Sequence, residues 1–354
     1  MKNIKGRLDY IDVAKGLGML TIVWGHISGG VSHTVFYAFH IPFFFFLSGL
    51  VFQRERYASI GLFVKRRIKS LLFPYVVFSV LTWMMWVSYS YLSHAMVSSY
   101  WMPLFQTFIA QGSESFLVHN VPLWFVSCLF VMEVIYYFSS SLSGSMNMMI
   151  CILLGVIGTW MSVTDFFDFS ILPWSFDVAL MGIPFYAAGN LLAQHPGHLK
   201  LTTWVRHYSI YAVGIVIVMV CLLCIGALSN GHVSMGHARL GYRPIVFYLT
   251  AFCGIIGFLF LSILLCHFPL TVVLDKIKWL GRNSFRLMAI HNPIKGIIIV
   301  IISRSISTPP TGISESLIYS MTTFVLTIAV SVILIKAISM GLQLTLSRDT
   351  LLPS

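Results

Sequence analysis

Charge is what this chain has least of. Of its 354 residues only 9% are Asp, Glu, Lys or Arg, and 11 are acidic, whereas an ordinary soluble domain carries about 25% charged residues. That shortage excludes a soluble globular protein with a charged shell. Short segments of alternating polar and apolar residues are also missing, which excludes a porin-like barrel. There is no internal repeat of the kind secondary transporters usually carry. No small-residue cleavage site follows Lys2, Lys5 and Arg7, so the first apolar run is expected to be a retained span, not a removed leader. The six cysteines, Cys128, Cys151, Cys221, Cys224, Cys253 and Cys266, all fall in or at the ends of apolar runs and read as unpaired packing residues.

What is present is hydrophobic length. The chain is 58% hydrophobic with a mean hydropathy of +0.88, and apolar runs near 20 residues recur throughout. The expectation is an all-α polytopic membrane bundle, a single integral-membrane domain over residues 1–354 with no fused soluble domain. Ten spans are expected at about 11–30, 34–52, 71–92, 120–140, 146–163, 173–193, 207–228, 244–266, 284–303 and 315–340. The segment at about 93–119 reads as a polar connection with a short interfacial helix. The net charge of +11 comes from short loops and is not a nucleic-acid footprint. Lys and Arg concentrate at the N-terminus and in the loops that follow even-numbered spans. The opposite loops hold Arg239, Arg243 and Arg304 against Glu114, Asp165, Asp168 and Glu315. Both termini are therefore expected in the cytoplasm.

Ionisable groups inside spans are costly and so are candidates for function. Lys15 and His26 are eleven residues apart, which puts them on one helix face about 16 Å apart along its axis. With the topology above, Lys15 lies near the cytoplasmic surface and His26 in the outer half. Buried imidazole stays neutral and suits a general base or an acyl acceptor, although a histidine hydrogen-bonded between helices would look the same. His40, just before Pro42, pairs with His26, binds substrate or meets interfacial water. Lys65, Arg66, Arg67 and Lys69 serve topology and lipid headgroups, or else cradle a phosphate-bearing donor. Asp12 is placed to hold the Lys15 ammonium.

Glu133, downstream of Trp124 in the fourth span, needs an interhelix cation or a substrate group; Asp177 in the sixth reads the same way. His291 precedes Asn292-Pro293, a pattern that breaks a helix beside a cavity or simply kinks it. No carboxylate or thiol joins His195, His198, His232 and His237 at ligand spacing, and no metal is expected.

These residues together resemble a known family. Asp12-Val-Ala-Lys15-Gly, Trp24-Gly-His26, His40-Ile-Pro-Phe-Phe, Leu47-Ser-Gly49 and Lys65-Arg-Arg-Ile-Lys69 followed by Pro74-Tyr75 are similar to the acyltransferase family 3 membrane proteins. Pro122-Leu-Trp-Phe125 and Gly281-Arg-Asn-Ser284 with His291 extend the likeness. Most members are O-acetyltransferases of bacterial surface glycans.

The resemblance implies that His26 is essential for transfer and that Lys15 handles the donor. Arg66-x-x-Lys69 and Arg67-x-x-Ser70 are two framings of the family's paired-arginine motif. It also implies acetyl-CoA as donor, with phosphates at Lys15, Arg66, Arg67 and Lys69, and a sugar or lipid-linked glycan as acceptor, contacted by Trp124, Glu133 and His291. The implied location is the bacterial inner membrane, with lipids as the surrounding partners and no nucleic acid. The rival is a transporter or flippase of a glycolipid precursor, which would move its cargo without releasing CoA.

Overall fold

A computed structural model describes residues 8–92, 96–112, 116–164, 172–195, 197–269, 271–305 and 313–349. Lys2, Lys5, Arg7, Glu114, Asp165 and Asp168, which entered the charge reading above, lie outside them. The described chain is built of helices: α1 Asp9–Gly25, α2 Gly30–Tyr37, α3 His40–Leu50, α4 Ile60–Arg67, α5 Phe73–Leu92, α6 Met102–Ile109, α7 Trp124–Ser139, α8 Gly144–Val163, α9 Phe176–Gln194, α10 His198–His207, α11 Ser209–Asn230, α12 Pro244–Leu265, α13 Thr271–Arg282, α14 Ser284–Ser305 and α15 Ile313–Asp349. Among the described residues nine helical stretches are long and apolar enough to cross a membrane. The 17-residue α1 is the tenth apolar helix, about 26 Å long. The expected polytopic helical membrane protein is thus what the chain forms. All six cysteines are free thiols.

Small residues set the closest helix contacts, as they do where no water drives association. A side-chain carbon at Gly49 of α3 would meet the Tyr186 carbonyl of α9, and one at Gly189 would meet that of Phe46. Buried amides then lock the same crossing. Asn190 Nδ2 donates to the carbonyls of Gly49 (3.2 Å) and Phe52 (2.9 Å), and its Oδ1 accepts from the Tyr136 hydroxyl (2.9 Å). Asn147 Nδ2 of α8 donates to Tyr136 Oη at 2.8 Å, so four helices share one polar network.

The structure departs from the expected spans in three places. The second span, expected unbroken over 34–52, divides at Ala38-Phe39 into α2 and α3. The Lys65–Lys69 cluster, expected in a loop, is helical: Ser59 caps α4 by accepting from Leu62 N at 3.3 Å, and a π-helical turn, Ile68–Leu72, joins α4 to α5. The expected basic loop before the ninth span is α13. Gly281 of that helix abuts the Asp12 carbonyl, and Gly16 of α1 abuts the Ile277 carbonyl. Lys278 Nζ binds Asp9 Oδ2 at 3.0 Å and Arg282 Nε binds Asp12 Oδ2 at 3.2 Å. Asp12 thus ties α1 to α13.

Pro293 does not end α14, which runs through it to Ser305. A proline at this position leaves the carbonyl four residues earlier without its helical donor. That carbonyl belongs to Ala289, and Asn120 Nδ2 donates to it at 2.6 Å.

Candidate active site

A cavity of about 950 Å³ runs along the inner face of α1. Lys15, Met19, Ile22 and His26 all line it. Their spacing of four, three and four residues is that of one helical face, so the periodicity that predicted a shared face for Lys15 and His26 is realised. His40, Phe44 and Ser48 of α3 repeat the same spacing on the facing wall.

The two ends of the cavity differ. Gly18 abuts Phe44 and Gly25 abuts Tyr37, so the chain through α2 and α3 runs antiparallel to α1 and the Lys15 end is that of Ser48 and Val51. Gly49 there abuts Tyr186, whose hydroxyl reaches Glu133, which puts Arg67 and Glu133 toward the same end. Arg67 Nη2 donates to Glu133 Oε1 at 2.7 Å, with side-chain exposures of 21% and 3%. Glu133 is thus an interhelix partner joining α4 to α7, and it also borders the cavity. The Tyr186 hydroxyl reaches the same oxygen at 3.5 Å. Arg67 Nε and Glu133 Oε2 are buried with no hydrogen-bond partner among the described residues.

Arg66 and Lys69 are placed differently from the phosphate cradle expected for the whole cluster. Both are exposed and neither lines the cavity. Arg66 Nη1 donates to the Arg56 carbonyl at 3.3 Å, and its guanidinium lies over the Tyr57 ring.

At the other end His26 caps α1. The Tyr37 hydroxyl lies 2.9 Å from His26 Nδ1. Tyr37 also packs edge-on to His40, at a centroid distance of 4.9 Å. The phenol therefore contacts both histidines, for which a direct pairing is one of three readings. His40 Nδ1 donates to the Phe36 carbonyl at 2.6 Å, which fixes its tautomer. On the opposite flank the His291 ring sits 5.4 Å from that of His26. Its Nδ1 donates to the carbonyls of Met288 (2.8 Å) and Leu287 (3.1 Å), and its Nε2 has no partner among the described residues. His291 is fully buried and does not line the cavity. Its ring packs beside that of His26. Asp177 likewise does not border the cavity.

Sequence reasoning missed Lys295. One turn beyond His291 on α14, its Nζ donates to the His26 carbonyl at 3.4 Å, and it lines the cavity beside that residue. A lysine in an apolar span, four residues after a histidine, is a signal of the kind that singled out Lys15.

The rim was missed as well. Residues 231–243 form a hairpin in which Val233–Ser234 pairs antiparallel with Arg239–Leu240. Asn230 holds it: Nδ2 donates to the Leu240 carbonyl at 2.7 Å, and Oδ1 accepts from Arg243 N at 2.7 Å. Gly236 of the hairpin and Gly112 both press on the Trp124 indole, which lines the cavity. The hairpin's His232 stacks on His33, at 5.3 Å and 8° between planes, and His33 stacks on Tyr37 at 3.9 Å. Partial burial, together with His33, Arg239 and His237 nearby, holds the His232 imidazole below its usual pKa. Arg239 and His237 line the cavity here.

A cavity with a cation pair at one end and an imidazole at the other suits a reaction that brings an anionic donor to a proton-accepting ring. A family model described as an acyltransferase domain matches residues 8–336. No curated protein and no solved structure matches the chain.

Proposed function

The chain belongs to acyltransferase family 3, and from that premise we propose that it moves an acyl group, acetyl first among them, from acyl-CoA to a hydroxyl of a surface-glycan sugar. The acceptor class is an O-antigen, an exopolysaccharide or a related lipid-linked glycan, modified at the bacterial inner membrane. The observation that carries this reading is the single cavity bordered by Lys15 and Arg67 at one end and by His26 at the other.

The donor end fits a phosphate-bearing molecule. Arg67 has spent one amino group on Glu133 and keeps an unpartnered, buried Nε, and guanidinium forks bind phosphate well. Lys15 borders the same space. Acyl-CoA entering from the cytoplasmic side lays its phosphates there and its pantetheine arm along Met19 and Ile22, which brings the thioester to His26. Arg66 and Lys69, exposed beside this end, reach only donor groups that remain outside the cavity.

The reacting end fits general base catalysis. The contact between the Tyr37 hydroxyl and Nδ1 allows the tautomer in which Nδ1–H donates to the phenol oxygen, and in that tautomer His26 Nε2 holds the lone pair. It takes the proton of the sugar hydroxyl as that oxygen attacks the thioester carbon. A tetrahedral intermediate forms, the carbon–sulfur bond breaks, and the proton passes from imidazolium to the departing thiolate, giving ester and CoA. In the two-step variant Nε2 attacks the thioester carbon and the carbon–sulfur bond breaks to release CoA thiolate. The sugar oxygen then attacks the acyl carbon, the carbon–nitrogen bond breaks, and the hydroxyl proton ends on the thiolate, giving the same ester and CoA.

The test uses purified protein, acetyl-CoA, and membranes from a host strain lacking the protein as the acceptor source. Free thiol is expected to appear with the intact protein and to fall to background with His26→Ala. Thiol release that survives the substitution, or none from the intact protein with any acceptor, contradicts the reading; the second result favours transport. Labelled acetyl-CoA alone separates the routes, because only the two-step variant leaves acetyl on His26 before acceptor is added.

A further inference from the structure

Attack on a thioester drives negative charge onto its carbonyl oxygen, and a base alone does not stabilise that charge. A donor aimed at the oxygen is the second requirement of acyl transfer. Four cationic side chains line the cavity: Lys15, Arg67, Arg239 and Lys295. Arg67 is committed to Glu133 at 2.7 Å. Lys15 stands eleven residues before His26 on the same helix, about 16 Å along the axis. Arg239 belongs to the rim hairpin. Lys295 alone among the four makes a described hydrogen bond to the catalytic candidate, from Nζ to the His26 carbonyl at 3.4 Å.

We propose that Lys295 is a catalytic residue of the acyl transfer, its ammonium donating a hydrogen bond to the thioester carbonyl oxygen as the tetrahedral intermediate forms beside His26. Three features fit this role. The ammonium has three donors, so one can stay on the His26 carbonyl while another meets the substrate. The lysine rises from α14 one turn after His291, whose tautomer is fixed by two backbone carbonyls, so ring and ammonium come from one helical face. That helix is held at its proline by Asn120, which supplies the donor the Ala289 carbonyl lacks. The Lys295 proton is shared and never transferred: it strengthens as a hydrogen bond while charge builds on oxygen and relaxes when the carbon–sulfur bond breaks. The assignment holds for both the direct and the two-step route, since each passes through an oxyanion.

This inference rests on the acyl-transfer reading above, and the experiment separates the two. Thiol release from acetyl-CoA, with acceptor membranes as before, is measured for the intact protein, Lys295→Met and Lys295→Arg. Acetyl-CoA binding is titrated in parallel. Lys295→Met is expected to lower kcat by about 100- to 1,000-fold, the scale of losing one oxyanion donor, with acetyl-CoA affinity within about threefold, since ground-state binding is not the role removed. Lys295→Arg is expected to recover a tenth of the rate or more, about the recovery a retained donor allows.

Three results overturn the assignment alone: near-normal kcat in Lys295→Met, a raised KM for acetyl-CoA at unchanged kcat, or equal loss in both variants. Absence of thiol release from the intact protein overturns the acyl-transfer reading and this inference with it. If Lys295→Met does not fold, Lys295→Leu, which likewise lacks a donor, carries the same comparison.

Discussion

Tyr37 decides what the His26 ring can do. Its hydroxyl 2.9 Å from Nδ1 orients the imidazole and leaves Nε2 for the reaction. Tyr37→Phe removes one hydrogen bond and little volume, a loss of about 1–1.5 kcal/mol. The expected result is a kcat about tenfold lower, with the KM for acetyl-CoA unchanged, read from steady-state thiol release. A changed KM with unchanged kcat would place Tyr37 at the donor. Lys15 and His26 could be read from the sequence because their spacing is that of an α-helix, and the helix is regular between them. The choice among Arg66, Arg67 and Lys69 could not. Consecutive residues on a helix point in different directions, and the π-helical turn at Ile68–Leu72 shifts the phase beyond it. Only the fold shows that Arg67 faces Glu133. Lys295 carries a legible signal, a lysine within an apolar run four residues after His291, but the intervening Pro293 reads as the end of the helix.

α14 carries the most function per turn of any element here. It presents Met288, Asn292 and Lys295 to the cavity and sets His291 against His26. Its weak point is Pro293, and Asn120 repairs it from the segment that leads into α7. Asn120→Ala leaves the buried Ala289 carbonyl without a donor, a cost of about 1–3 kcal/mol. The expected outcome is a lower unfolding temperature in detergent together with a reduced kcat, because α14 and the Trp124 wall lose their link. An unchanged melting curve would show that the carbonyl finds another partner.

Span positions were legible at this scale, since long apolar runs have few alternatives in a membrane. α13 was not. Its Lys276, Lys278 and Arg282 read as a basic loop, although Leu274, Ile277, Leu280 and Gly281 repeat at helical spacing. Charge was weighed above periodicity, yet Asp9 and Asp12 at the start of α1 give two of those cations partners. The break between α2 and α3 is announced only by Pro42, which leaves the Ala38 carbonyl four residues earlier without a helical donor. The bend lets α2 bring Tyr37 to His26 while α3 packs on α9.

Across the described residues, several of the charged and ionisable groups that a bilayer would penalise border one cavity. The basic donor end, the imidazole and the Arg239 rim border a common cavity, while α8, α11 and α15 turn large apolar side chains such as Leu153, Ile225 and Ile333 outward, as lipid-facing helices do. That arrangement explains why a chain so poor in charge still carries lysine, arginine, glutamate and histidine within its apolar segments. It also makes one claim central: the acyl group reaches the glycan by way of His26. The direct test is NMR of the surface polysaccharide from the host, comparing a strain making the intact protein with one making His26→Ala at the same membrane level. Loss of the O-acyl signals in the variant is the predicted result. A polysaccharide still acylated to the full extent would contradict the account.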